Sequence, residues 1–342
     1  MKTVLEAPAL PLACEALRAQ GGVWLSHAGR RRAVFSAEML APEQWQALAQ
    51  QAENLALALP GGQHYDARGL THSQFSHWLE QDLGQQPPPA PPLNGDEELA
   101  QAAGHALALA QRARLLPLVL LAESTQESWR AQPFPQLSSA QLAPHAPRLQ
   151  AVTQAALPLA GAEHSRIFSF RDIEEGSEHL ALLVGAPALD QAPLVRLHSS
   201  CVTGDLLGSL RCDCGDQLRQ AIARMVQEGG GVLLYLHQEG RGIGLANKLR
   251  AYRLQERGLD TYRANRALGF AEDARDYALA AALLKHLGVA RLRLLTNNPR
   301  KLDGLKAHGL EVVERVALLG QHGAHNQHYL AAKRAAGHQL DG

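Results

Sequence analysis

Cysteine is scarce in this chain, with four in 342 residues, and that excludes a disulfide-stapled scaffold. Net charge is also absent. Thirty-three basic residues balance thirty-three acidic ones, so no summed field draws in nucleic acid or an anionic membrane, and neither is expected as a partner. Any anion must be bound locally. Aromatic residues make up 5% and charged residues 19%, against 46% hydrophobic, which is globular composition rather than that of a disordered chain. Long apolar runs are missing too. The opening MKTVLEAPALPLAC imitates a secretion signal, but Glu6 and the prolines interrupt it, and nothing later reaches the length of a membrane span. A cytoplasmic protein is expected, long enough for two domains of ordinary size.

Three of the four cysteines fall in the single run CVTGDLLGSLRCDC, as Cys201, Cys212 and Cys214. A C-x-C pair alone is equally consistent with reduced core thiols. The third cysteine just upstream favours a metal site. Zinc held by four protein ligands is usually structural, whereas three ligands with one open position is the hydrolytic pattern, in which water is activated near neutral pH.

The two halves read differently. The first 160 residues are rich in Ala, Leu and Gln and contain the proline run QQPPPAPPLNGDEE, expected as a stiff extended connector near Pro87 to Pro92 that divides this half. Helical spacing is expected through PEQWQALAQQAENLALAL and ELAQAAGHALALAQRA, with a short buried strand in LLPLVLLA. Arg30, Arg31 and Arg32 read as a solvated loop, with phosphate contact as the alternative. From Arg166 onward strands, glycine turns and amphipathic helices alternate. IFSF, HLALLVG, LVRLHSS, GVLLYL, RLRLL and LEVVERV read as strands. DQLRQAIARMVQEGG places Leu218, Ile222, Met225 and Val226 on one helical face, and helices are also expected in NKLRAYRLQERG, ARDYALAAALLKHLG and NNPRKLDGLKAHG. The alternation predicts an α/β fold with a mixed sheet.

Between GVLLYL and the next helix lies Glu239, Gly240, Arg241, Gly242, Ile243, Gly244, where backbone amides can turn towards an anion and Arg241 offers a planar fork. The run lacks the Walker ending and the dinucleotide spacing, so a plain turn is the competing reading. Arg196 and His198 sit on the strand that delivers Cys201. Asp273 and Arg275 open a helix, where Asp273 can also be read as a cap. Thr296 to Lys301 forms another strand-to-helix loop, the usual ligand position in α/β sheets.

From about Arg166 to His338 the chain resembles GTP cyclohydrolase II, through RLHSSCVTGDLLGSLRCDCG, LLYLHQEGRGIGL, NKLRAYRLQERGLDTYRANRALGF, the Asp273 and Arg275 pair, LLTNNPRK and HNQHYLAAKRAAGH. The resemblance implies one zinc on Cys201, Cys212 and Cys214, and GTP contacts from Arg196, Leu197, His198, Ser199, Ser200, Gln217, Glu239, Gly240, Arg241, Thr261, Thr296 and Lys301. It also implies Tyr252 near the reacting base, Asp273 as proton acceptor and Arg275 as nucleophile, with magnesium on the triphosphate and a homodimer. The implied reaction takes GTP to 2,5-diamino-6-(5-phospho-D-ribosylamino)pyrimidin-4(3H)-one, formate and diphosphate. Ser200 departs from the pattern, which usually has an acidic or amide residue there. The rival readings are an enzyme that stops at the ring-opened formamide and a non-catalytic zinc and GTP-binding regulator.

ALRAQGGVWLSHAGRRRAVFSAEMLAPE resembles a distant 3,4-dihydroxy-2-butanone 4-phosphate synthase. GRRRA replaces that family's acidic metal-binding segment, and GDEE its His-Thr-Glu motif. Basic residues do not ligate a hard cation. Residues 1–160 are therefore expected to form a degenerate, non-catalytic synthase-like α/β domain, and residues 161–342 the cyclohydrolase-like domain.

Overall fold

The structure is a computed structural model that describes residues 9–94, 97–143, 146–271, 275, 277–318 and 337. The chain forms two compact units, each built on its own mixed sheet. Among the described residues no helix is long and apolar enough to cross a membrane.

The first unit holds six strands in the order β4-β3-β5-β2-β1-β6: β1 (Val23–His27), β2 (Arg30–Ser36), β3 (Asn54–Leu59), β4 (Gln63–Asp66), β5 (Val119–Glu123) and β6 (Gln136–Ser138). Its helices are α1 (Ala9–Arg18), α2 (Pro42–Gln51), α3 (His72–Gln81), α4 (Glu97–Arg112) and the short α5 (Glu127–Arg130). In α4 the small residues Ala102, Ala103, Ala106 and Ala110 are buried with Leu109, so the helix can lie close against the sheet, while Glu97 and Glu98 complement its N-terminal dipole.

Three expectations are corrected here. Helical spacing was expected through Leu59, but α2 stops at Gln51, where Ala52 turns to extended geometry, and NLALAL becomes β3. Alternating Leu and Ala bury both faces of this strand because it lies between β4 and β5. The proline run does not divide the unit. The Asp66 N–H donates to the Pro91 carbonyl and the Leu93 N–H to that of His64, each at 2.8 Å, so the segment lies along edge strand β4, where proline's missing donor is harmless. GRRRA is also no solvated loop. Arg30, Arg31 and Arg32 begin β2, with Arg30 and Arg31 exposed and Arg32 only 4% exposed.

Arg32 donates to both Glu98 oxygens at 2.7 and 3.0 Å and pairs with Glu123 at 2.7 Å. This hydrogen bonding holds the Glu98 carboxyl below the usual range. Arg30, Arg32, Arg68, Asn54, Asp66 and Glu123 share a cavity of about 290 Å³. Removing Arg32 leaves two part-exposed carboxylates to find water, so Arg32→Ala is expected to cost about 1–3 kcal/mol in denaturant unfolding. A depressed carboxylate pKa contributes stability above its unfolded value of roughly 4.3 and loses it as pH falls through the folded value. The gap between wild type and variant should therefore narrow below about pH 4; a gap independent of pH would refute the ion-pair account.

The second unit has seven strands in the order β13-β12-β10-β11-β9-β8-β7. They are β7 (Leu149–Ala156), β8 (Arg166–Asp172), β9 (Glu178–Gly185), β10 (Leu194–Ser199), β11 (Gly230–Leu236), β12 (Arg291–Leu295) and β13 (Glu311–Val316). The helices are α6 (Cys214–Gln227), α7 (Leu245–Glu256), α8 (Thr261–Ala267), α9 (Tyr277–His286) and α10 (Pro299–Ala307). Strands β7, β8 and β9 form an antiparallel meander that meets β11, whereas β11, β10, β12 and β13 run parallel. Parallel pairing demands crossovers: α9 and α10 cover the core of Phe170, Val195, Leu234, Leu283 and Leu294, while α6 packs Ala221 and Met225 with Val184, Leu194 and Leu233 in a second cluster.

The units divide between Pro144 and His145, earlier than the expected boundary at 160, because β7 pairs with β8 and belongs to the second sheet. Leu249–Leu254 and Arg263–Glu272 group with the first unit, and within it Arg250 pairs with Glu38 at 2.5 Å.

Candidate active site

Parallel strands β10, β11 and β12 deliver their C-terminal ends to one edge of the second sheet, and the chemistry-bearing loops leave from there. Alternation along β10 and its continuation puts Arg196, His198 and Ser200 on one face. All three are buried, and Arg196 Nε, His198 Nδ1 and Ser200 Oγ have no hydrogen-bond partner among the described residues. Buried polar atoms rarely go unsatisfied in a finished core, so this row marks a surface built to receive polar groups.

Cys201 follows directly and begins a tight turn over Val202–Leu206. Its sulfur lies 3.7 Å from that of Cys212, and all three sulfurs, Cys214 included, lie within 4.8 Å of one another. Tetrahedral zinc at about 2.3 Å from each sulfur requires separations of about 3.8 Å. The ligand set therefore fits such an ion. Gly204 makes the cluster possible: a Cβ there would stand 2.8 Å from Cys212 Sγ and 3.1 Å from Cys201 Sγ. Hydrogen bonds from Cys212 and Cys214, with Lys248, drive the Cys201 pKa down. The hydrogen bond to Cys201 pushes Cys212 up to about 11 and also raises Cys214. A cation in their midst would favour thiolate at all three.

Asp205 ties this loop to the sheet. It accepts from the Cys201 N–H at 2.9 Å and the Tyr235 hydroxyl at 3.0 Å, and both its oxygens lie 3.0 Å from His198 Nε2. Burial lowers the His198 pKa, so the neutral ring presents N–H to the carboxylate and leaves Nδ1 as an acceptor. The ring also stacks on Tyr235 at 5.6 Å.

Arg196 donates to the Leu295 carbonyl at 3.1 Å and to Gln217 Oε1 at 2.7 Å, and Gln217 in turn donates to Asp213 between the two later cysteines. Burial, with the nearby charge of Arg275 adding to it, pulls the Arg196 pKa to about 10. It stays cationic at neutral pH. Two guanidiniums close enough to repel suit an anion between them. Arg275 itself is half-buried, with its guanidinium carbon 5.9 Å from the Tyr277 ring centroid.

The glycine run after β11 adopts left-handed geometry at Gly240 (φ 63°), Arg241 (φ 64°), Gly242 (φ 97°) and Gly244 (φ 88°). Arg241 is the costly member, at roughly 1–2 kcal/mol for a residue with a Cβ. Such strain is kept where a turn must present backbone N–H groups. Beneath it Glu239 is buried and accepts from Val202 N–H at 2.6 Å and from Gly240 N–H at 3.0 Å. Thr296 and Lys301 are buried at the end of β12 and on α10, where Lys301 Nζ donates to the Leu197 carbonyl at 2.6 Å. The Leu197 side chain lies in the core, so any ligand contact from it is a backbone one.

Arg196 to Cys201, Cys212, Cys214, Gln217, Glu239 to Arg241, Thr296 and Lys301 thus belong to one edge of one unit. Tyr252 lies on α7, in the stretch grouped with the first unit. Thr261 opens α8 with its side chain outside the described residues, and Asp273 lies outside them altogether. Sequence reading missed Asp205, Tyr235 and Lys248, which acquire partners only through folding; the one local signal was an acid four residues after Cys201.

Seven mixed strands carrying a cluster of three cysteines that could hold a metal ion, with a left-handed glycine turn beside it, define a mixed α/β protein. The profile of GTP cyclohydrolase II matches residues 150–317. GTP cyclohydrolase-2 of Pseudomonas paraeruginosa is 57% identical over 173 residues, which cover 50% of this chain and 84% of that protein. GTP cyclohydrolase-2 of Azospirillum brasilense is 50% identical over 246 residues, 69% of this chain and 64% of its own. Riboflavin biosynthesis protein RibBA of Bacillus velezensis is 52% identical over 177 residues, 51% of this chain. The chain spans 64% and 44% of the lengths of these last two relatives. It belongs to the GTP cyclohydrolase II family.

Proposed function

We propose that this protein hydrolyses GTP to 2,5-diamino-6-(5-phospho-D-ribosylamino)pyrimidin-4(3H)-one, formate and diphosphate, an entry step of riboflavin biosynthesis, as a zinc enzyme and a homodimer. The observation that carries this reading is the three-sulfur cluster beside a row of buried polar atoms that have no hydrogen-bond partner among the described residues, at one sheet edge. Zinc on Cys201, Cys212 and Cys214, when bound, would supply Lewis-acid activation of water for attack on the imidazole carbon of guanine and for hydrolysis of the formamide.

The protein's own groups do the rest. Arg196 Nε can donate, His198 Nδ1 can accept and Ser200 Oγ can do either, which suits the mixed donor and acceptor edge of a purine. The shorter Ser200 still places a hydroxyl in that row, which favours an active enzyme over a regulator. The Glu239–Arg241 turn, Thr296 and Lys301 are assigned to the triphosphate. Among the described residues the thiols are the sole group of three or more metal-ligating side chains. Magnesium is therefore assigned to the substrate as its GTP complex. Arg275 is assigned to the α-phosphate, with Asp273 as its proton partner, and Tyr252 to the base. A guanidinium has a pKa above about 12, so charge stabilisation is the role its chemistry favours over nucleophilic attack.

Mass analysis of the product from GTP tests the reading. The fully processed pyrimidine is expected. A ring-opened formamide that accumulates without formate would show an enzyme that stops midway, and unchanged GTP would leave only a binding role.

Residues 1–144 are proposed to have no dihydroxybutanone phosphate synthase activity, because among the described residues the carboxylates of this cavity are already ion-paired, Glu98 with Arg30 and Arg32, Glu123 with Arg32 and Asp66 with Arg68, and guanidiniums stand where a hard cation would have to bind. Ribulose 5-phosphate with magnesium should give no product; a measurable rate from the intact chain would reverse this assignment.

A further inference from the structure

One ammonium links the two centres of the second unit. Lys248, in the first turns of α7, has its side chain only 11% exposed. Its Nζ lies 3.0 Å from Cys201 Sγ, 2.8 Å from Thr203 Oγ1 and 2.9 Å from Glu239 Oε1. Cys201 also receives the Gly204 N–H at 3.3 Å. Glu239 carries its own backbone donors, from Val202 in the cysteine loop and Gly240 in the glycine turn. The chain of contacts therefore runs from metal ligand to ammonium to carboxylate to glycine turn.

The geometry points to Lys248 as a positioning residue that acts through Cys201, tuning a bound metal ion and fixing the glycine turn against the cysteine loop. This inference rests on the tricysteine metal reading. Three thiolates around a divalent ion carry one net negative charge, which is costly to bury without a nearby cation. A charged N–H donor on one sulfur also withdraws electron density from it, so that sulfur gives less to the metal and the metal becomes a stronger Lewis acid. Outer partners of metal ligands change affinity or activity by about 10–100-fold when removed. Glu239 and Thr203 hold the ammonium in place, which a merely space-filling lysine would not need.

Full-length protein loaded with cobalt in place of zinc gives a direct readout, because the sulfur-to-cobalt charge-transfer band reports electron density on the thiolates. Lys248→Met removes the donor at similar length, and Lys248→Gln removes the charge but keeps an N–H. Both should bind one cobalt. The band should move to longer wavelength, further in Lys248→Met than in Lys248→Gln, and formate release by the zinc forms should fall about tenfold or more. An unshifted band in either variant overturns the inference, and so does loss of cobalt from both, since the ligands themselves are intact. Wild-type protein that shows no charge-transfer band would instead sink the metal reading, and the inference with it.

Discussion

Replacing Cys212 with Ser is expected to remove the metal and formate release together. The substitution is nearly isosteric at a buried position, so the fold should survive, but a hydroxyl is too weak an acid to take a thiolate's place. Two sulfurs then remain, one of them next to Lys248. Metal content should fall from one per chain to near zero, and formate from GTP to background. Thermal unfolding of the metal-free forms should differ little. Undiminished formate from a metal-free variant would refute the assignment.

The second large effect is at Arg275. Removing one preorganised donor to a developing charge typically costs about 10²–10³ in rate, so under the proposed assignment of Arg275 to the α-phosphate, Arg275→Met should lose that much diphosphate release. Arg275→Lys keeps the charge and loses only the planar fork, so it should recover a large part of the rate. A guanidine nucleophile predicts otherwise, with Lys as inactive as Met. Formate measured in parallel separates this group from the tricysteine centre, because ring opening needs no cleavage at phosphorus. If both variants keep wild-type diphosphate release, the second centre lies elsewhere.

Much of the second unit was legible because its signals are local. Apolar runs set off by glycine gave β9 and β11, the run after Pro193 gave β10, and Leu218, Ile222, Met225 and Val226 kept to one helical face against the sheet. The cysteine spacing pointed to three ligands, which the 3.7 Å sulfur separation supports. What escaped depended on partners distant in sequence. Leu55, Leu57 and Leu59 alternate at period 2, a strand pattern hidden by the helical run that leads straight into it, and they form β3 between β4 and β5. Arg32 looked like one of three surface charges until Glu98 and Glu123 closed on it. β7 is exposed along most of its length and lacks the apolar run that marks a buried strand, so its place in the second sheet was invisible. Asp205 and Lys248 were passed over for the same reason: an acid or a lysine acquires meaning only from what it touches.

The most direct test of the two-centre account is the stoichiometry of formate and diphosphate released from GTP by the intact protein, before and after zinc is removed and restored. The account predicts equal amounts of both from the zinc-loaded protein, loss of formate on chelation and its return with zinc. Formate release that persists without metal, or is absent with it, would contradict the account.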